Sequence, residues 1–233
     1  KNMVRINTGS YVPLYGSEDK LPVKVDAFLL DVYPVTNYDY LNFVKNYPEY
    51  GKSKIKRIFA NTSYLSDWSN DLNFGKLKPN SPVTNVSWFA AKKYCECQGK
   101  RLATMDEWEY VAMADEKRID ARTKEQFNKY ILAWYEKNQT YNNAIGQTYK
   151  NYWGVYDMHG LIWEWTYDFN SIFLSGESRK DKDTDTELFC GSASINASDL
   201  MNYAAFMRFA FRGSLKASYT TKNLGFRCAK DVK

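Results

Sequence analysis

Histidine is almost missing from this chain. Its 233 residues hold one, His159, so no multi-histidine zinc or iron site can be built and any Ser-His-Asp triad would have to pass through that residue. Long apolar runs are missing too. No stretch approaches the roughly 18 uninterrupted apolar residues of a membrane span, so the chain is read as not membrane-spanning. Blocks of one charge are also absent: 32 Lys and Arg against 27 Asp and Glu give +5, with the positives scattered among acids and aromatics, which argues against a nucleic-acid partner. The opening Lys1-Asn2-Met3-Val4-Arg5-Ile6 lacks the apolar core of a signal peptide; either no export signal existed or it was removed ahead of this numbering, and the compartment stays open.

Aromatics are abundant instead, at 17% with 19 tyrosines and seven tryptophans. They suit a core built from irregular backbone as well as an exposed binding face. Val4-Arg5-Ile6 and Val23 to Phe28 alternate as short strands. Thr36 stands three residues before Asp39, a capping pattern that starts a helix ending near Tyr47-Pro48. Residues 49 to 80 show no sustained period and read as surface loop. Ser87 caps a second helix stopped by Gly99, and Thr104 with Glu107 forms a capping box for a third, with Trp108, Val111 and Ala112 on its buried stripe. The charged stretch from Asp115 to Lys129 reads as a wet surface, either loop or solvated helix. After Asn151 helical periodicity is lost among aromatic stretches broken by glycines. Asp181 to Glu187 lacks the glycine and spacing of an EF-hand and reads as an exposed turn, Phe206 to Phe211 alternates around Arg208, and Leu224 to Cys228 reads as the final strand. No repeat, low-complexity linker or domain boundary stands out, so residues 1–233 are read as one domain.

Several islands share an order with a known family. Pro34-Val35-Thr36-Asn37, Ser81-Pro82-Val83-Thr84-Asn85-Val86-Ser87-Trp88, Gly99-Lys100-Arg101-Leu102-Ala103-Thr104, Glu107-Trp108-Glu109-Tyr110, Gly154-Val155-Tyr156-Asp157-Met158, Trp163-Glu164-Trp165 and Asn223-Leu224-Gly225-Phe226-Arg227-Cys228 together resemble the formylglycine-generating enzyme and sulfatase-modifying factor family over the whole chain. The resemblance implies an α+β fold of the formylglycine-generating-enzyme type, a decorated C-type lectin-like fold with little regular secondary structure. Enzymes of that family bind copper(I) through two cysteines and use oxygen to convert a substrate cysteine to formylglycine; soft thiolates suit that ion. The matching positions here are Ile195 and Ala204. Neither can ligate copper, so copper is not expected, and formylglycine generation is not the expected activity. The family's iron enzymes use several histidines, which His159 alone cannot supply.

The resemblance also carries over a calcium site. Asp157 and Glu164 match its side-chain ligands, and Gly160 and Ile162 match its backbone donors, giving a hard cation a plausible oxygen set in an irregular loop; the competing reading makes the two carboxylates turn caps. Cys95 and Cys228 match a family disulfide. Cys97 and Cys190 are both atypical, which suggests a second bridge against the alternative of two buried thiols. His159 reads as a structural hydrogen-bonding residue. Ser192 and Asn223 match polar pocket positions and Trp163 its edge, while Leu161 replaces a pocket asparagine; Tyr203 and Phe206 would wall the groove. Arg208 and Arg212 are read either as part of a basic patch able to clamp an acidic peptide or as internal braces, and Arg227 as part of that patch or a core brace. The expected function is a binding or assembly module of the bacterial cell envelope, exported, periplasmic or outer-membrane-associated, with a lipid anchor upstream compatible with the reading. It would be held in shape by structural Ca2+ and disulfides and engage a protein or peptide through a vestigial groove, as in gliding-motility or secretion accessories. The competing readings are a divergent metal-dependent oxidative maturation enzyme and a variable ligand-binding lectin-like protein.

Overall fold

A computed structural model describes residues 2–14, 21–170 and 197–232. The central sheet has the order β1 (Met3–Ile6), β4 (Phe28–Asp31), β8 (Cys228–Asp231), β5 (Arg101–Leu102), antiparallel throughout. The two ends of the chain thus lie on either side of β4, with Phe28 opposite both Ile6 and Asp231. β2 (Gly9–Tyr11) and β3 (Val23–Val25) form a separate antiparallel pair. The expected strand through Leu224 to Cys228 is split: β7 (Leu224–Gly225) runs parallel to β6 (Trp163–Glu164), and the chain crosses Phe226 and Arg227 before β8 joins the central sheet. Phe226 and Arg227 are both buried, so the break is where the chain turns a ring and a guanidinium into the core.

Three helices follow their caps. α1 (Asn37–Asn46) starts at Thr36, whose hydroxyl accepts from Asp39 N while the Asp39 carboxylate accepts from Thr36 N. α2 (Trp88–Cys97) is capped by Ser87, which accepts from Ala90 N, and ends before Gly99 at φ +65. α3 (Met105–Ala112) carries the Thr104/Glu107 box. Each box satisfies two backbone donors that a helix start leaves open. Of two further helices, one begins inside the charged stretch read as loop or solvated helix and runs beyond it, and the other was not expected. Residues 115–124 are turns and bends, as the wet-surface reading had it, but α4 (Glu125–Tyr135) then buries Phe127, Ile131 and Trp134. α5 (Ala197–Gly213) replaces the alternation expected around Arg208. Its buried face runs Leu200, Ala204, Arg208, Arg212, four apart each time and so one stripe of a helix.

The core lies on both sides of the central sheet. On one side Tyr40 stacks on Tyr94 at 5.9 Å and meets Phe226 edge-on at 6.2 Å; on the other, Ile6, Phe28, Leu30 and Ala229 pack with Trp108 and Val111. A third cluster, Ala121, Phe127, Ile131 and Ala204, joins α4 to α5. Residues 49–80 lack regular elements apart from a short 3-10 turn at Pro48–Tyr50, yet Tyr64, Leu65 and Trp68 from this segment are core residues. The Tyr40 and Tyr64 hydroxyls meet at 2.6 Å and Tyr64 also donates to Tyr50 O, which leaves neither buried phenol unpaired.

Cys95 of α2 is bonded to Cys228 at the start of β8, across 133 positions of sequence, with both residues fully buried. Cys97 is half-buried and takes part in no disulfide among the described residues; Cys190, its expected partner, lies outside them, as does the Asp181–Glu187 turn. Closing so long a loop restricts the unfolded chain, so reduction, or the Cys95→Ser/Cys228→Ser pair, is expected to remove about 2–5 kcal/mol. Melting with and without reductant should show a drop on the order of 10 °C; an unchanged transition would mean the bridge constrains little.

Candidate functional site

β6 and β7 bring two expected groove residues together. Trp163 N donates to Asn223 O at 2.8 Å, and both side chains line a cleft of about 340 Å³ with Trp134, Tyr141, Lys137 and Lys222. α4 supplies one wall: Tyr135 stacks on Trp163 at 4.8 Å and Trp134 lies 5.5 Å away. Phe211 of α5 packs against the Trp163 ring at 4.4 Å without lining the cleft itself. The turn after α4 is tied down where the Thr140 hydroxyl donates to Leu161 O at 2.6 Å and accepts from Trp134 Nε1 at 3.3 Å. Leu161 is buried and lines the cleft where the resemblance places an asparagine. Ser192 and Ile195 lie outside the described residues. Ala204, which the resemblance sets at the second cysteine position, is buried between α5 and α4.

Arg208 and Arg212 are not walls of that cleft. Both are buried and converge on Glu109 of α3: Arg208 Nε and Nη2 each lie 2.9 Å from one of its oxygens, and Arg212 Nη1 lies 2.6 Å away. Burial pushes the Glu109 carboxyl up, but the two guanidiniums prevail and hold it down at about 2. Arg208 also donates to Ala204 O, and Arg212 lies over the Trp108 ring at 5.1 Å. They border a separate cavity of about 190 Å³ between β2–β3, α3 and α5. The basic-patch reading is corrected here, because these charges are consumed inside the fold and α5 turns them inward. Tyr203 and Phe206 are half-buried on α5 and line neither cavity.

Arg227 is likewise internal. Its Nε and Nη2 lie 2.8–3.0 Å from the Glu164 oxygens, with side-chain exposures of 1% for both partners. Trp108 Nε1 donates to Glu164 Oε2 at 2.9 Å, and Arg227 Nη2 also donates to Tyr156 O. Asp157, at φ +61, accepts from Gly146 N at 2.6 Å and from Thr148 Oγ1 at 2.9 Å and N at 3.3 Å. Gly160 sits at φ +98 with the Tyr130 hydroxyl against it, and Ile162 is fully buried. This donor set does not fit calcium: Glu164 is neutralised by the Arg227 guanidinium and further occupied by an indole N–H, so a divalent cation there would lie against Arg227. Among the described residues no three His, Cys, Asp or Glu side chains gather as a metal site.

His159 is buried, with its Nε2 2.8 Å from Ala112 O and its ring between Trp108, Phe127 and Trp134. Burial, with Arg208 next, lowers its pKa to about 3. The sequence reads it as a structural hydrogen-bonding residue, and the bond to Ala112 O is that of a side chain built into the core. Sequence reading missed Trp134, Tyr135 and Lys137, although Phe127, Ile131 and Trp134 stand at i, i+4 and i+7 and carry the helical period that would have placed them. It also missed Glu109 as the partner of two arginines.

The family of sulfatase-modifying factor enzyme 1-like domains matches residues 1–232. Relatives include the serine/threonine-protein kinase Pkn1 of Chlamydia trachomatis, 27% identical over 94% of this chain and 36% of its own length, so the chain spans just over a third of that protein. The inactive C-alpha-formylglycine-generating enzyme 2 of Bos taurus is 27% identical, over 89% of this chain and 78% of the relative. The formylglycine-generating enzyme of Bos taurus is 26% identical, over 90% and 67%. Among solved structures, PvdO from Pseudomonas aeruginosa superposes with a TM-score of 0.57 at 19% identity, over 99% of this chain and 94% of that one, a likeness of fold. With the islands, the α+β fold and the Trp163–Asn223 cleft all in place, the chain belongs to the sulfatase-modifying factor family, as a divergent member.

Proposed function

We propose that this chain is a non-formylglycine-generating binding or assembly module of the bacterial cell envelope, which engages a protein or peptide through the cleft at Trp163 and Asn223. The observation that carries the reading is Ala204, which the resemblance sets at the second cysteine position: it is packed into the α4–α5 core, while a cleft lined by Trp134, Tyr135, Trp163 and Asn223 is present. A relative whose name declares it inactive supports loss of the chemistry within this family, and a kinase relative supports the use of such a domain as part of a larger protein. The Cys95–Cys228 bridge supports an oxidising compartment, periplasmic or outer-membrane-associated.

The test is incubation of the purified chain with a cysteine-containing peptide, copper(I) and oxygen, read by peptide mass, with metal quantified on the protein after dialysis. The expected result is unconverted cysteine and no stoichiometric copper or iron. Conversion to the aldehyde, or one equivalent of either metal, would overturn the reading and favour oxidative maturation chemistry. Fractionation of the source cells tests the envelope assignment, which a cytoplasmic chain would sink.

A further inference from the structure

We propose that the Trp163 cleft is one lobe of a longer groove whose occupant is an extended acidic polypeptide segment of a partner protein; this rests on the binding-module reading above. A second depression, about 600 Å³, is bordered by Asp67, Trp68, Lys76, Lys78 and Asn142, and it shares Gln139 and Tyr141 with the first. The two lobes therefore meet at the turn that follows α4. Gln139 sits at this saddle with φ +62, a left-handed conformation uncommon outside glycine that surrounding structure must hold in place.

The groove's charge is one-sided. Lys137 and Lys222 stand at one lobe and Lys76 and Lys78 at the other, all four exposed. The carboxylate among the lining residues, Asp67, already accepts from Asn85 at 2.9 Å and lies 3.5 Å from Lys222. Among the described residues no ion pair involves Lys76, Lys78 or Lys137, so their field is available to an anionic ligand. The polar lining is rich in amides: Asn138, Gln139 and Asn223 in the first lobe and Asn142 in the second offer the donors and acceptors that an extended backbone needs.

An acidic glycan fits less well, because sugars bind open aromatic faces. Trp163 is covered by Tyr135 and Phe211, and Trp68 is 2% exposed, with Tyr40 and Phe74 edge-on to it. What remains accessible is an apolar border of Trp163 and Tyr141 for side chains.

The experiment is fluorescence anisotropy of the 233-residue chain with dye-labelled peptides of Glu–Thr and of Lys–Thr repeats, with an unlabelled uronate oligosaccharide as competitor. The Glu–Thr peptide is expected to bind, the Lys–Thr peptide not, and binding should weaken about tenfold between low and threefold physiological salt. Lys76→Glu/Lys78→Glu and Lys137→Glu/Lys222→Glu should each weaken it about tenfold; the exposed lysines leave the fold intact, checked by melting. Absence of binding, equal binding of both peptides, or tighter binding of the oligosaccharide at the same site overturns the proposal. Loss of binding through Lys137→Glu/Lys222→Glu with none through Lys76→Glu/Lys78→Glu overturns the two-lobed groove while leaving the cleft reading standing. Formylglycine conversion in the separate assay would instead sink the reading beneath it.

Discussion

Glu164→Gln is expected to cost about 3–5 kcal/mol, because it leaves a guanidinium buried without its counter-charge. Arg227 and Glu164 are both 1% exposed at the side chain, and their bonds of 2.8–3.0 Å are supported by Trp108 Nε1 and by Tyr156 O. Gln keeps the volume and an acceptor for Trp108, so the loss isolates the charge. Thermal melting should fall on the order of 10 °C. Replacing both residues with apolar ones of similar volume is expected to lose less than the two single changes together, since no charge is then stranded. The same experiment decides the calcium question. If Glu164 serves Arg227, chelation leaves the wild-type melting temperature unmoved and added calcium rescues nothing in Glu164→Gln. A wild type that loses several degrees in chelator, regained with calcium, would show that the carboxylate holds a cation and that the arginine gives way.

The parts of the fold that could be read in advance are those encoded locally. Thr36 with Asp39, Ser87 with Ala90 and Thr104 with Glu107 sit three residues apart, so each helix start is written within one turn of chain. α5 was hidden because its buried stripe, Leu200, Ala204, Arg208 and Arg212, is half arginine, and charged side chains are ordinarily evidence of a wet face. Their partner Glu109 lies 99 and 103 positions away, a distance over which no local pattern speaks. Tyr64 and Trp68 escaped for a related reason. They reach the core from turns without a period, and only the hydroxyl pair with Tyr40 and the indole bond to Asn37 show why their polar atoms tolerate burial. In the site, Trp163 and Asn223 came from the resemblance, while the lysines carried no motif at all: Lys137 and Lys222 border one hollow and Lys76 and Lys78 another, and the two share only Gln139 and Tyr141.

Acidification from about pH 6.5 to 4.5 is expected to remove about 1 kcal/mol per pH unit of stability through His159, the slope steepening toward about 1.4 as the unfolded imidazole fills, and His159→Gln is expected to remove that component. His159 is the sole histidine, so no other imidazole titrates in this window. In the fold its pKa is pushed from 6.5 to about 3, first by burial and then by Arg208, with the Ala112 carbonyl and Glu109 opposing and Arg212 adding to the depression. Above pH 6.5 the ring is neutral in both states and the stability is whole. As pH falls below 6.5 the unfolded chain takes up a proton that the folded one refuses, and stability drains away until the folded pKa near 3 is reached. Glu109 works lower down: its carboxyl, held at about 2 against 4.5, withdraws stability only as pH falls through that lower interval. Burial raises Asp168 above its usual 3.8, which acts in the opposite sense, but the group is common to both proteins and cancels in the difference between them. Urea midpoints of the wild type and His159→Gln at several pH values supply that difference. Converging curves toward acid confirm a ring buried neutral beside Ala112 O. Parallel curves would mean that the folded protein accepts the proton near pH 6.5, which would require a counter-charge at the ring and make His159 a group able to exchange protons beneath the cleft rather than a packed wall.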